Sequence, residues 1–298
     1  MDIIGKKYWY LGFSLLFILT GVIAIFLWGL NLSIDFTGGS RLTLSFENNI
    51  TNRHAEVVGR VTNEHKIKVG NIEKSGKLIF VRMEPMNQAQ NDALLNSLSK
   101  EFPDVKQSEF ETIGPVIGRE TTLNAFKAIG VASLLIVLYI TWSFRQVPKP
   151  ASSIRFGVCA IIALVHDVLI VVGAFAILGH FFGVEINSLF VTAILTVIGF
   201  SVHDTIVVFD RIRENLKRKG SLNFAITVNE SITQTIARSL NTSITTVLVL
   251  VSLLLFGGES IRWFIVALII GIVAGTYSSI FIASPILVLW HNLRSRRD

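Results

Sequence analysis

Six long apolar runs punctuate the chain, at about 8–30, 123–144, 156–179, 186–209, 240–257 and 263–290. Each is near the ~20 residues that a helix, rising ~1.5 Å per residue, needs to cross hydrocarbon. Between the first and second runs the pattern changes. Residues 31–122 are polar and nearly charge-balanced and carry a periodicity of their own, which predicts a segment folded in water rather than a linker. The order reads strand 41–46, helix 52–64, strand 67–72, strand 77–83, helix 87–101 and strand 108–113. Val57/Val61 and Leu94/Leu95/Leu98 form the apolar helix faces. A βαββαβ order predicts a ferredoxin-like sandwich. The expected fold is a polytopic α-helical membrane protein of six transmembrane helices with an inserted α+β, ferredoxin-like extracytoplasmic domain. Its expected divisions are 1–30 for the N-terminus and first span, 31–122 for the inserted domain, and 123–298 for spans two to six with their loops and the C-terminus.

Composition agrees with that pattern: of 298 residues 51% are hydrophobic and 16% charged, and the mean hydropathy is +0.59. Lys6 and Lys7 precede the first run, which exceeds a 7–15-residue signal core and lacks a small-x-small cleavage site, so an uncleaved signal anchor is expected. The net charge of +6 does not call for nucleic acid. Outside the inserted segment the basic residues crowd beside apolar runs: Lys6 and Lys7; Arg145, Lys149 and Arg155; Arg211, Arg213, Lys217, Arg218 and Lys219; Arg294, Arg296 and Arg297. The positive-inside rule puts all of them, and both termini, in the cytoplasm. The single cysteine, Cys159, excludes an intramolecular disulfide and a four-cysteine metal cage, and reads as core packing.

Candidate chemistry lies in the ionisable residues inside the apolar runs, each costing ~2.5–3.5 kcal/mol at mid-helix on insertion scales. Asp167, preceded by His166, sits near the middle of the third run; Asp204, preceded by His203, sits in the fourth; Arg238 opens the fifth. A carboxylate at such a depth can load and release a proton, and an arginine is a fixed positive partner that resets its proton affinity. Helical spacing aligns Arg238 with Thr242, Thr245 and Val249 and so adds hydroxyls to a candidate proton relay. Blander readings stand beside these: static interhelical hydrogen bonds for the aspartates and histidines, and a snorkelling interfacial anchor for Arg238. A metal site is disfavoured because adjacent residues diverge by ~100° on a helix. Glu185 and Glu259 fall at outer ends, either as solvated carboxylates or as gates for proton entry. The inserted segment shows no catalytic set and the chain has no HExxH, so a hydrolytic enzyme and an intramembrane metalloprotease are not expected.

Five blocks carry a further signal: LSIDFTGGSRL (32–42), GPVIGRE (114–120), IALVHDVLIVVG (162–173), LTVIGFSVHDTIVVFDRIRENL (195–216) and SITQTIARSLNTSITTVL (231–248). In order and placement they resemble the SecF family of bacterial Sec protein-export subunits, along essentially the whole chain. The resemblance implies membership of the RND superfamily, half of a twelve-helix bundle, and an obligate heterocomplex with a SecD-like subunit. It also implies work beside the SecYEG translocon and YidC on an unfolded, translocating polypeptide, in the lipid of the bacterial plasma membrane, with proton-motive force promoting late steps of export. The coupling ion it implies is H⁺, with Na⁺ as the alternative, and no other cofactor. The family's essential charge pair falls on Asp204 and Arg238. His203 stands where the family usually has asparagine, which adds a second titrating group. Asp167, with His166, takes a supporting polar role. Asp35, Gly38 and Gly39 read as the joint between the first span and the outer domain, and Gly114, Pro115 and Gly118 as the matching hinge. The competing reading is a proton-coupled RND exporter of small molecules or metals, which would need a substrate-lined outer pocket; the intramembrane metalloprotease is the third and a pure scaffold a further one.

Overall fold

The computed structural model describes residues 2–148, 151–219 and 223–295. Of the basic residues expected on one side of the membrane, Lys149, Arg296 and Arg297 lie outside the described residues, as do the side chains of Lys219 and Arg294. The chain divides into two compact units, one formed by Leu32–Phe126 with Glu185–Ser188, the other by Met1–Asn31, Lys127–Val184 and Leu189–Asp298.

In the first unit, after a short helix α2 (Ile34–Thr37), the order is β1 (Gly39–Ser45), α3 (Asn52–Glu64), β2 (Val69–Ser75), β3 (Leu78–Met83), α4 (Gln88–Glu101) and β4 (Lys106–Ile113). The strands form one sheet in the order β2-β3-β1-β4, every neighbouring pair antiparallel. Leu42 pairs with Val81 and Leu44 with Ile79, so one pleated face carries the apolar side chains. That face, with Val58 and Val61 of α3 and Leu94 and Leu98 of α4, makes a core in which these side chains are almost fully buried. Asn87 starts α4 with a capping box: its Oδ1 accepts from the Gln90 amide, and its own amide donates to Gln90 Oε1, both at 2.9 Å. Strand limits differ from the sequence expectation by up to three residues, and the starts of β2 and β4 have a visible cause. Lys66 adopts a left-handed φ of 58°, so Ile67 plugs the core from a turn and β2 begins at Val69. β4 begins at Lys106 because Lys106 and Gln107 find partners in Ser45 and Leu44.

The second unit is helical. Among the described residues, six helical stretches are long and apolar enough to cross a membrane. They comprise α1 (Lys7–Trp28), α5 (Pro115–Ser143), α6 (Ser153–Phe182), α7 (Ser188–Lys219), α8 (Phe224–Phe256), and α9 (Arg262–Ser278) followed by α10 (Ser284–Ser295). α5 starts within the first unit and runs into this one. Phe156, Phe175, Phe209 and Ile140 are among its largest fully buried side chains. α1 meets α6 through glycine on glycine: a Cβ on Gly173 would lie 2.5 Å from the Gly21 Cα, so neither position admits a side chain without separating the helices. Three helices outrun their apolar stretches by polar turns, and α8 does so most. It starts at Phe224, with Asn223 Oδ1 accepting from the Ile226 amide, so Arg238 does not open this helix but lies near its middle. The added turns are held by Thr227, Ser231 and Thr235, small hydroxyl residues buried against neighbours and bonded back to their own helix. The last run is interrupted by a π-helical turn, Ser279–Ala283. Pro285 follows it, lacking an N–H and crowding the carbonyl four residues back, a recognised cause of such a break.

Candidate functional site

The buried polar residues of the helical unit converge where α7, α8 and α9 meet. α9 comes close to α7 because it presents glycine there: a Cβ on Gly275 would lie 2.9 Å from the Ser201 Cβ. On α7, Ser201 and Asp204 are one turn apart, and both are 2% exposed. Asp204 Oδ2 has two hydroxyls at 3.4 Å, Ser243 Oγ of α8 and Thr276 Oγ1 of α9, and these lie 2.5 Å from one another. Each hydroxyl also reaches a carbonyl of its own helix, Ser243 to Ser239 O at 2.9 Å and Thr276 to Ile272 O at 2.8 Å. A hydroxyl has one proton to donate, so these two choose among carbonyl, carboxylate and each other. Protonated Asp204 becomes a donor and reverses that choice. The trio can therefore hold two hydrogen-bonding patterns without moving a helix.

Asp167, on α6 and 1% exposed, is held separately. Its Oδ2 accepts from Ser201 Oγ at 2.5 Å and Ser278 Oγ at 2.8 Å, while Oδ1 lies 2.8 Å from His166 Nδ1. On α7, Thr205, next to Asp204 in sequence, donates to the Ser201 carbonyl at 3.0 Å.

The other relay residues named from sequence are placed differently. Arg238, Thr242 and Thr245 share one exposed face of α8, and Arg238 makes no ion pair among the described residues. The Thr242 and Thr245 hydroxyls donate to carbonyls of their own helix, Arg238 O at 3.0 Å and Asn241 O at 2.9 Å. The face turned inward is the neighbouring one, Ser239 and Ser243. His203 is exposed on α7. Sequence reasoning missed Ser243, Thr276, Ser201 and Ser278. The available signal was the run of hydroxyls after Gly271 and Gly275, at 276, 278 and 279, in an otherwise apolar stretch.

The joint residues lie together in the first unit. Ser33 Oγ caps the short α2 by accepting from the Asp35 amide. The Asp35 carboxylate accepts from the Ser188 amide at 2.7 Å and the Ser188 hydroxyl at 2.6 Å, which caps α7 from a distant part of the sequence. Gly38 has φ +72° and Gly39 φ +130°, and a Cβ on Gly38 would lie 2.8 Å from Pro115 Cα. Gly118 closes in from the other side, where a Cβ would lie 2.8 Å from the Gly38 amide nitrogen; Gly114 has open space. Glu185 pairs with Arg82, and Glu259 with Arg262 at 3.3 Å. Among the described residues no group of three or more His, Cys, Asp or Glu side chains is placed to hold a metal ion.

Residues 93–293 match the family described as protein export membrane protein SecD/SecF, C-terminal, and residues 23–50, which include Asp35, Gly38 and Gly39, match the SecD/SecF GG motif. A protein translocase subunit SecF from Thermobaculum terrenum is 44% identical, covering 98% of this chain and 94% of its own. One from Anaerolinea thermophila is 42% identical over the same shares. The fold is similar to a crystal structure of SecDF, a translocon-associated membrane protein, from a Thermus species, with a TM-score of 0.84 and 36% identity. It is also similar to SecDF in a super-membrane-facing form, with a TM-score of 0.71 and 34% identity. The matches cover 98% and 100% of this chain, but in each case 39% of the SecDF chain.

Proposed function

Because this chain belongs to the SecD/SecF family of protein-export membrane proteins, we propose that it uses the proton-motive force to promote late steps of polypeptide export across the bacterial plasma membrane. It is a multi-pass accessory subunit of the Sec protein-export machinery and acts in a complex with a SecD-type partner. Its two bundles, one from each chain, form the proton path; SecYEG and YidC are the neighbours it serves, an unfolded polypeptide the client, and H⁺ rather than Na⁺ the coupling ion. Both termini lie in the cytoplasm, which the basic residues at Lys6, Lys7, Arg145, Arg155, Arg211 and Arg213 support. Six spans, a first segment 1–30, an outer domain 31–122 and a bundle 123–298 are the working division. The strand order β2-β3-β1-β4 in a βαββαβ chain supports a ferredoxin-like outer domain.

One observation carries the reading: Asp204 is shut among hydroxyls at membrane depth, while Arg238, the cation best suited to it, stands exposed and unpaired on α8 among the described residues. A carboxylate and a guanidinium kept apart at that depth are costly in a finished structure, and they suit one with two states. In the reading proposed here, Asp204 takes a proton when Arg238 is distant and releases it when rearrangement against the SecD-type bundle brings the cation near. The joint at Asp35 and Gly38 passes the change outward.

The test is export of a secreted reporter, in cells lacking the endogenous subunit, supplied with Asp204→Asn or Arg238→Met at matched membrane abundance. Each substitution is expected to abolish the stimulation of export while leaving assembly intact. Full export by both variants defeats the relay and leaves the buried charges structural.

A further inference from the structure

The His166–Asp167 pair stands apart from the Asp204 trio and has its own hydrogen bonds. His166 is 5% exposed and Asp167 1%, in the middle of α6. The imidazole Nδ1 is committed to Asp167 Oδ1 at 2.8 Å. The other ring nitrogen, Nε2, is buried and has no hydrogen-bond partner. Such an orphaned buried atom is costly, and it is retained where a site has use for it. The carboxylate's second oxygen is saturated by Ser201 and Ser278 from two other helices, which fixes its position and leaves the imidazole as its variable partner.

Other groups facing the pair are few. Tyr277 of α9 lies roughly parallel to the imidazole with ring centroids 6.3 Å apart, and its hydroxyl is occupied, donating to Tyr10 O of α1 at 2.9 Å. Among the described residues, the hydrogen-bond partners of Asp167 are His166, Ser201 and Ser278, and of these His166 is the titratable one. A sodium site would need several oxygens around one point, whereas here a nitrogen occupies one side of the carboxylate and both serine hydroxyls lie on the same oxygen, Oδ2.

We infer that His166 and Asp167 form a second proton-binding station in the bundle, filled through Nε2 by a water-borne proton. In the empty state the imidazole is neutral, Nδ1–H donates to the carboxylate, and the pair carries one negative charge. A hydronium gives its proton to Nε2 and leaves as water. The Nδ1 proton can then shift along its hydrogen bond to Oδ1, so the filled pair is either imidazolium with carboxylate or neutral imidazole with carboxylic acid. Both filled forms have zero net charge, the cheaper state at membrane depth. Ser201 donates to this station and stands one helical turn from Asp204 on α7. The inference rests on the proton-coupled reading of Asp204 and adds a second site to it.

A lipid-soluble carbodiimide reacts with a protonated carboxyl in apolar surroundings. Membranes holding the intact complex with the SecD-type partner are treated with it across about pH 5 to 9, the range in which a histidine-coupled site titrates. Peptide mass spectrometry then reads the adducts at Asp167 and Asp204 separately. The expected result is an Asp167 adduct that varies with pH, and whose midpoint moves by at least about tenfold in proton concentration in His166→Gln while the Asp204 profile stays put. That unmoved profile also certifies the variant's fold. A flat Asp167 profile, or a midpoint unmoved by His166→Gln, overturns the second station. A flat Asp204 profile with a titrating Asp167 instead counts against the relay assigned to Asp204, so the two readings fail separately.

Discussion

Asp204 and Asp167 are one residue type in one kind of helix, yet their surroundings differ, and the difference lies in single atoms. Asp204 has two hydroxyls at 3.4 Å that can turn away to their own carbonyls; Asp167 has hydroxyls at 2.5 and 2.8 Å and an imidazole at 2.8 Å. The outer domain has its own sensitive carboxyl. Burial pushes Glu73 above the ordinary carboxylate range, and Arg82 and the Asn71 amide, which donates at 2.7 Å, offset this only in part. An acid whose pKa is raised on folding binds its proton more tightly in the folded chain than in the unfolded one. Stability is therefore highest below the unfolded pKa and falls as pH rises through the folded one. Thermal unfolding of the purified protein from about pH 4 to pH 8, spanning the carboxylate range, should show this fall, and Glu73→Gln should flatten it. An unchanged slope would mean that Arg82 fully compensates the burial.

At the scale of elements, two contacts decide how helices are held. Gly21 and Gly173 let α1 lie against α6 at backbone distance. Gly173→Leu should cost about 1–3 kcal/mol by forcing the pair apart, seen as a lower unfolding temperature in detergent; Gly173→Ala should cost less. The second contact is the cap on α7. With Asp35 replaced by alanine, the Ser188 amide and hydroxyl lose their acceptor, at about 1–2 kcal/mol. Hydrogen–deuterium exchange in the first two turns of α7 should then rise about tenfold, with Asp35→Asn in between. Most elements were legible from hydrophobic period: α3 spans 52–64 as the pattern implied. The start of α8 was not, because Thr227, Ser231 and Thr235 read as polar loop until neighbouring helices bury them and their hydroxyls bond back into the helix.

At the scale of the whole molecule, the surface of the helical unit is unfinished. Trp142, Leu135 and Leu138 of α5 and Leu248 and Val249 of α8 are exposed, as apolar side chains facing lipid or a second bundle should be. Lipid does not explain Arg238, Asn241, Thr242 and Thr245, a polar strip on the exposed side of α8. A facing SecD-type bundle, as proposed above, would. Thr245→Cys should therefore cross-link to a cysteine scanned through the partner's membrane helices, whereas Thr235→Cys, buried within this chain, should not. Equal cross-linking of both, or of neither, would remove this strip from the interface.

Hydrophobic run length and the placement of lysine and arginine are properties of the chain itself. They sufficed for the membrane class, the inserted domain and the intramembrane charges Asp167, Asp204 and Arg238, since a charge in an apolar run is conspicuous before anything folds. What sequence could not determine was which face of α8 turns inward. Arg238/Thr242/Thr245 and Ser239/Ser243 are adjacent polar faces about 100° apart, and period alone weighs them equally. The choice belongs to tertiary packing. Glycine on α9 draws that helix onto α7, which brings Thr276 to Asp204 and leaves room there for the Ser243 hydroxyl, while Arg238 remains on the exposed side of α8.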